Sequence, residues 1–203
     1  TLGLGVVKAM KLGIKKFVLS LDSSLAIEKF IIKNGGKVWR SKVGEANVIQ
    51  IMIENDAEAG GEGSSGGFIL REFNMCRDGL LTSGLIASMI DDETIQKDIE
   101  FFESFSQIRN KISVESTLHE KIIEKIAKKI GTMYKIDELD GIRISINENT
   151  WSLIRKSNTE DIIRISTESN DSKLLQKIQK EMMKNVEECY EEIKWKKNYS
   201  NNE

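Results

Sequence analysis

The sequence predicts an α/β domain, a mixed sheet with flanking helices, followed by a smaller α+β domain in which helices accompany an antiparallel sheet. Three observations predict it. Short apolar runs of strand length alternate with helical periodicities across residues 17–55. From Ser106 the texture changes to helix, meander, helix. Glycine supplies the punctuation, because the 203 residues include 15 Gly and no Pro.

Residues 6–12 read as the end of a helix stopped by Gly13. The α/β domain is expected over 15–105. Residues 17–21 form an apolar run of strand length. Asp22 or Ser23 can then cap a helix through Asn34, with apolar positions Leu25, Ile27, Phe30, Ile31 and Ile32 and Gly35-Gly36 at its end. Residues 37–42 suit a second strand, and residues 45–55 carry the helical set Val48, Ile49, Met52 and Ile53. A Gly-rich loop over 59–67 precedes a strand at 68–70. Arg77-Asp78-Gly79 introduces an apolar helix over 80–90, and another helix over 93–102 closes the domain.

The second domain is expected over 106–203. Leu118, Ile122, Ile123, Ile126 and Ile130 mark an amphipathic helix over 116–130 that stops at Gly131. Strands are expected over 141–147, 150–155 and 162–168. The first alternates, with Ile142, Ile144 and Ile146 on one face and Arg143, Ser145 and Asn147 on the other. A last helix, 171–193, aligns Leu174, Leu175, Ile178, Met182, Val186, Cys189 and Ile193.

Composition excludes several classes. Lys+Arg is 30 and Asp+Glu is 32, a net charge of −2, which argues against a nucleic-acid partner. No apolar run approaches the roughly 20 residues of a membrane span, and no signal segment opens the chain. Cys76 and Cys189 are too few for a disulfide framework or a zinc site. A soluble, cytoplasmic protein is expected. Thr1 in place of an initiator Met points to processing or to a longer parent chain.

Two familiar motifs occur out of context. Gly61-x-Gly63-x-x-Gly66 matches the dinucleotide fingerprint, but that motif needs a strand before it and a helix after it, and here a helix precedes and a strand follows. Gly63-x-Ser65-x-Gly67 matches a nucleophile elbow in the same wrong setting. His119, the single His, is expected to be solvated on a Lys/Glu-rich helix face, which argues against a Ser–His hydrolase.

Other segments carry better chemistry, each beside a plainer reading. The Gly-rich segment is a flexible linker or a ligand loop, in which Glu62, Ser64 and Ser65 could bind vicinal sugar hydroxyls while glycine lets backbone approach. Arg155-Lys156-Ser157-Asn158-Thr159-Glu160 is an ordinary polar hairpin or the donor set for a phosphate. Lys42-Val43-Gly44-Glu45 lies at a strand-to-helix turn, a frequent ligand position. Arg77-Asp78-Gly79 reads as an internal ion pair with a helix start.

In this order and spacing these segments, with Phe17 to Ser24, Arg40 to Glu45, and Ile162-Ile163-Arg164-Ile165, resemble the C-terminal half of the α-D-phosphohexomutases. The resemblance implies the tail of a preceding domain over 1–14, the family's third, sugar-binding domain over 15–105 and its fourth, phosphate-binding domain over 106–203. It implies Glu62, Ser64, Ser65 and Lys42 at the sugar, and Arg155, Ser157, Asn158 and Thr159 at the phosphate. The implied reaction moves phosphate between C1 and C6 of a hexose phosphate through a phosphoserine and a bound hexose bisphosphate. The phosphoserine and the Mg²⁺ site belong to N-terminal domains that this sequence does not contain, so catalytic and metal-ligating residues are expected to be absent from these 203 residues, which alone should be inactive. Asp22-Ser23-Ser24 and Asp91-Asp92-Glu93 lack the spacing of a metal loop and read as helix caps.

This sequence departs from the family in places. A second Ser follows Ser64, and Gly67 stands where a His is common, so either Ser is open as the sugar ligand. Lys156 and Asp161 stand where the phosphate loop often has Pro. The expectation is the substrate-binding half of a phosphohexose mutase; the alternative is a non-catalytic sugar-phosphate-binding module. An interaction domain using the basic-aromatic stretch 194–197 ranks behind both, and a fraying helix end explains that stretch equally.

Overall fold

The computed structural model describes residues 1–63, 67–157 and 159–200, the side chains of 196–200 excepted. The chain forms two compact units, Thr1–Phe105 and Ser106–Glu203.

In the first unit, α1 (Leu2–Lys11), β1 (Lys16–Ser20), α2 (Leu25–Lys33), β2 (Lys37–Ser41) and α3 (Glu45–Glu54) alternate as the periodicities require. They are followed by β3 (Ala59–Glu62), β4 (Gly67–Leu70), α4 (Gly79–Ala87) and α5 (Ile95–Glu103). The sheet order is β2-β1-β3-β4, with β1 parallel to β2 and β3, and β4 antiparallel to β3. Alternation along β1 divides the core. Phe17 and Leu19 join Leu2, Val6, Ile27, Ile31 and Phe68 on one side, while Val18 meets Val48, Met52 and Ile69 on the other.

Three expectations are corrected here. Residues 1–14 are not the tail of another domain: α1 buries Leu2, Val6, Ala9 and Met10 in the same core as Phe17 and Phe68. The Gly-rich segment is not all loop, because Ala59-Gly60-Gly61-Glu62 is a strand. Its glycines are there for space. A Cβ at Gly60 would lie 2.6 Å from Met52 Sδ, and one at Gly61 would lie 2.1 Å from Leu2 Cδ1, so α3 and α1 rest directly on strand backbone. The cap of α2 is Ser24, whose Oγ accepts from Ala26 N at 3.0 Å, and not Asp22 or Ser23.

The second unit comprises β5 (Ser106–Ser113), α6 (His119–Ile130), β6 (Lys135–Asp137), β7 (Ile142–Asn147), β8 (Thr150–Lys156), β9 (Ile162–Ser169) and α7 (Ser172–Ser200). Its antiparallel sheet runs β5-β9-β8-β7-β6. Ile142, Ile144, Ile154, Ile163 and Ile165 meet Ile122, Ile126 and Ile130 of α6 and Ile178, Met182 and Val186 of α7. Both β5 and β6 are additions to the expected strands. Their side chains are mostly exposed, so burial left little apolar pattern in them.

His119 contradicts its expected exposure. It is 3% exposed at the start of α6, with Nε2 3.1 Å from the Val114 carbonyl oxygen, and so fastens the chain entering the helix. No helix among the described residues is long and apolar enough to cross a membrane.

Candidate functional site

The carboxyl ends of the parallel strands β1, β2 and β3 share one edge of the first sheet, the edge where α/β sheets present ligand-binding turns. The turn after β1 is tied internally. Ser20 Oγ donates to Asp22 Oδ1 at 2.6 Å, lies 2.9 Å from Ser23 Oγ and accepts from Gly63 N at 3.1 Å. Arg40 Nη1 donates to the carbonyls of Ser20 and Ser23 at 2.9 and 3.1 Å, while its Nη2 pairs with Glu28. Gly63 fits because a Cβ there would lie 2.6 Å from the Asp22 carbonyl oxygen. Asp22-Ser23-Ser24 is thus a structural turn with a helix cap. Asp92 has a related task before α5, accepting from Thr94 N at 2.9 Å while pairing with Lys11.

Glu62 ends β3 at this edge, and its side chain is only 8% exposed. A carboxylate so deeply placed needs a charged partner. Arg77 supplies one, with Nη1 3.1 Å from Glu62 Oε2. The same guanidinium donates through Nε to Glu45 Oε2 at 2.7 Å, and Arg77 N donates to that oxygen at 3.0 Å. Those bonds hold the Glu45 carboxyl below its usual range and raise the Arg77 pKa. Asp78 caps α4 through Leu81 N at 2.8 Å, so Arg77-Asp78-Gly79 is the ion pair and helix start that its sequence suggested.

Gly44, at φ 123°, turns the chain from β2 into α3 and sets Glu45 in the first turn. Lys42 is exposed just after β2, at the same edge. A cleft of about 390 Å³ adjoins the ion pairs, lined by Glu45, Gly67, Arg77, Thr82 and Ser83 among others. A larger cleft, about 470 Å³, lies at the other end of the strands, where Lys15 precedes β1 and where α1 and α2 end. The negative ends of two helix dipoles oppose anion binding by its lysines, so the carboxyl edge is the better candidate. Ser64 and Ser65 lie outside the described residues.

In the second unit, β8 delivers Arg155 to the turn that leads into β9. Ser157, 8% exposed, donates its N–H to the Ile162 carbonyl at 3.0 Å, and Ile162 N donates to the Glu160 carbonyl at 2.8 Å. Thr159 N is 3.4 Å from Ser157 Oγ, a weak contact that draws the turn inward. Asn158 lies outside the described residues. Lys156 points elsewhere, paired with Glu120, and Asp161 lends its carbonyl to Val114 N at 2.9 Å.

The register pairs Arg155 with Arg164, which puts both side chains on one face of adjacent strands. Arg164 pairs with Glu160, whereas the side chain of Arg155 makes no hydrogen bond or ion pair among the described residues. A guanidinium beside a turn that carries hydroxyls is the donor set an anion requires. Arg164 was missed as a site residue by sequence reasoning. The signal was there, since a hairpin closed by Ser157 opposite Ile162 sets 155 against 164.

Residues 4–108 match the family described as phosphoglucomutase/phosphomannomutase, alpha/beta/alpha domain III, and residues 111–185 match its C-terminal domain. The chain belongs to this family, the phosphohexomutases. The phosphoglucosamine mutase of Methanococcus maripaludis is 32% identical over 174 residues, covering 84% of this chain and 38% of that protein. A Burkholderia thailandensis member of the phosphoglucomutase/phosphomannomutase family has the same fold, with a TM-score of 0.72 at 17% identity, covering 93% of this chain and 41% of that one. The Aspergillus fumigatus N-acetylphosphoglucosamine mutase, solved with GlcNAc-6P and magnesium, aligns with a TM-score of 0.58 at 11% identity, covering 93% and 43%. The chain spans about two fifths of the length of the curated relatives it matches.

Proposed function

We propose that this chain is the substrate-binding half of a phosphohexose mutase, with a hexosamine phosphate as its substrate. Glu62 accepts hydrogen bonds from sugar hydroxyls, with Ser64 or Ser65 and Lys42 beside it. Arg155, joined by Arg164, holds the phosphate, with Ser157, Asn158 and Thr159 supplying further donors. The observation that carries the reading is the Arg155–Arg164 pair: Glu160 pairs with Arg164, and an anion would neutralise the Arg155 guanidinium opposite it. The choice of a hexosamine rests on the relatives, which are phosphoglucosamine mutases.

Family chemistry gives these residues a definite task. A mutase must hold its sugar phosphate in two orientations, so the distal phosphate needs a grip that does not depend on which carbon carries it. A guanidinium with turn donors meets that need, and a carboxylate that accepts from either of two hydroxyls meets the matching need at the sugar. Among the described residues no three His, Cys, Asp or Glu side chains converge as a cation site. The metal and the phosphoserine are assigned to the N-terminal domains of the parent protein.

The test is a coupled mutase assay on the longer gene product. Arg155→Ala should raise KM for the hexose phosphate by at least tenfold. An unchanged KM would reject the phosphate assignment.

A further inference from the structure

We propose that Arg77 is a positioning residue for Glu62, fixing the direction in which that carboxylate meets the sugar. This rests on the reading of Glu62 as the sugar ligand. Glu62 lies at the end of β3 and Arg77 lies beyond β4, so the pair ties the end of β3 to the chain that follows β4. Arg77 has little freedom of its own. Its N–H and its Nε both reach one oxygen of Glu45, at 3.0 and 2.7 Å, and its stem lies across Gly67, where a Cβ would come within 2.3 Å of Arg77 Cδ. Glu45 is fixed in turn by the first turn of α3.

Three separated sequence motifs thus converge on one guanidinium: the turn before α3, the Gly-rich segment and Arg77-Asp78-Gly79. Gly67 gains a specific reason, since any side chain there would displace the arginine. The planar fork matters as well as the charge. Lysine would neutralise Glu62 but could not hold two carboxylates in fixed directions at once.

The experiment is calorimetric titration of the chain with glucosamine 6-phosphate and, separately, with inorganic phosphate. Glu62→Gln and Arg77→Lys should each weaken glucosamine 6-phosphate binding about tenfold, and the double variant should be no weaker than Glu62→Gln alone. A residue acting through Glu62 predicts that non-additivity; a merely structural one does not. Inorganic phosphate affinity should stay the same throughout. Glu45→Gln, which keeps both members of the pair, should weaken sugar phosphate binding in the same direction and serves if Arg77→Lys fails to fold. The positioning role is overturned if Glu62→Gln weakens binding while Arg77→Lys and Glu45→Gln do not, or if the losses multiply. If Glu62→Gln itself has no effect, the sugar reading fails, and the inference falls with it.

Discussion

Arg155 and Arg164 stand opposite each other on the adjacent antiparallel strands β8 and β9. Like charges in that arrangement cost stability, about 0.2–1 kcal/mol. Glu160 offsets part of the cost through its pair with Arg164. Arg155→Ala should therefore leave the fold intact and hold or slightly raise the thermal midpoint, while removing the stabilisation that added phosphate gives the unmodified chain. Thermal melts with and without phosphate check both halves of this statement.

The glycines of β3 make a steric prediction. Gly61→Ala would push a methyl group to within 2.1 Å of Leu2 Cδ1 and 2.9 Å of the Gly67 carbonyl oxygen. Overpacking of this kind costs about 1–3 kcal/mol. Urea unfolding should show a lower midpoint with an unchanged slope.

Trp151 anchors the face of the second sheet opposite α6 and α7. Its Nε1 donates to Glu168 Oε2 at 2.7 Å, with both residues buried, and the Arg143 guanidinium lies over its ring at 5.2 Å. Trp151→Phe keeps the bulk but removes a donor from a buried carboxylate, a loss of about 1–3 kcal/mol. Equilibrium unfolding followed by circular dichroism measures it.

Acid should weaken the first unit through Glu45. Its folded-state pKa is lowered, first by the Arg77 side-chain hydrogen bond, from the usual carboxylate value of 4.5. Its contribution is accordingly complete above pH 4.5 and is lost as pH falls through the depressed folded value. Urea midpoints at pH 6 and pH 3.5 should differ less for Glu45→Gln than for the unmodified chain. An identical difference in both would remove Glu45 from the account.

Much of this architecture was legible in the residues. The apolar run of Phe17 to Leu21 and the alternation of Ile142 to Ile146 reported burial directly, and glycines marked the ends of α2 and α6. What escaped was governed by neighbours distant in sequence. Gly60 and Gly61 look like loop residues until Met52 and Leu2 are seen pressing on them. The polar strand β5 has its place because β9 pairs with it along its whole length. His119 sits on a charged stretch, yet the chain entering α6 buries it. Glu62 and Arg155 stand out as candidates from their motifs. The structural use of Arg77 as a bridge between two carboxylates was not, because Glu45 lies 32 residues away and nothing local marks the pairing.

The central claim is that this chain grips a sugar phosphate by a guanidinium and a buried carboxylate. Calorimetric titration with glucosamine 6-phosphate, set beside unphosphorylated glucosamine, tests it most directly. The account predicts binding of the phosphorylated sugar, at least tenfold weaker binding after either Arg155→Ala or Glu62→Gln, and little affinity for the free sugar. Equal affinity in the unmodified chain and both variants would contradict it.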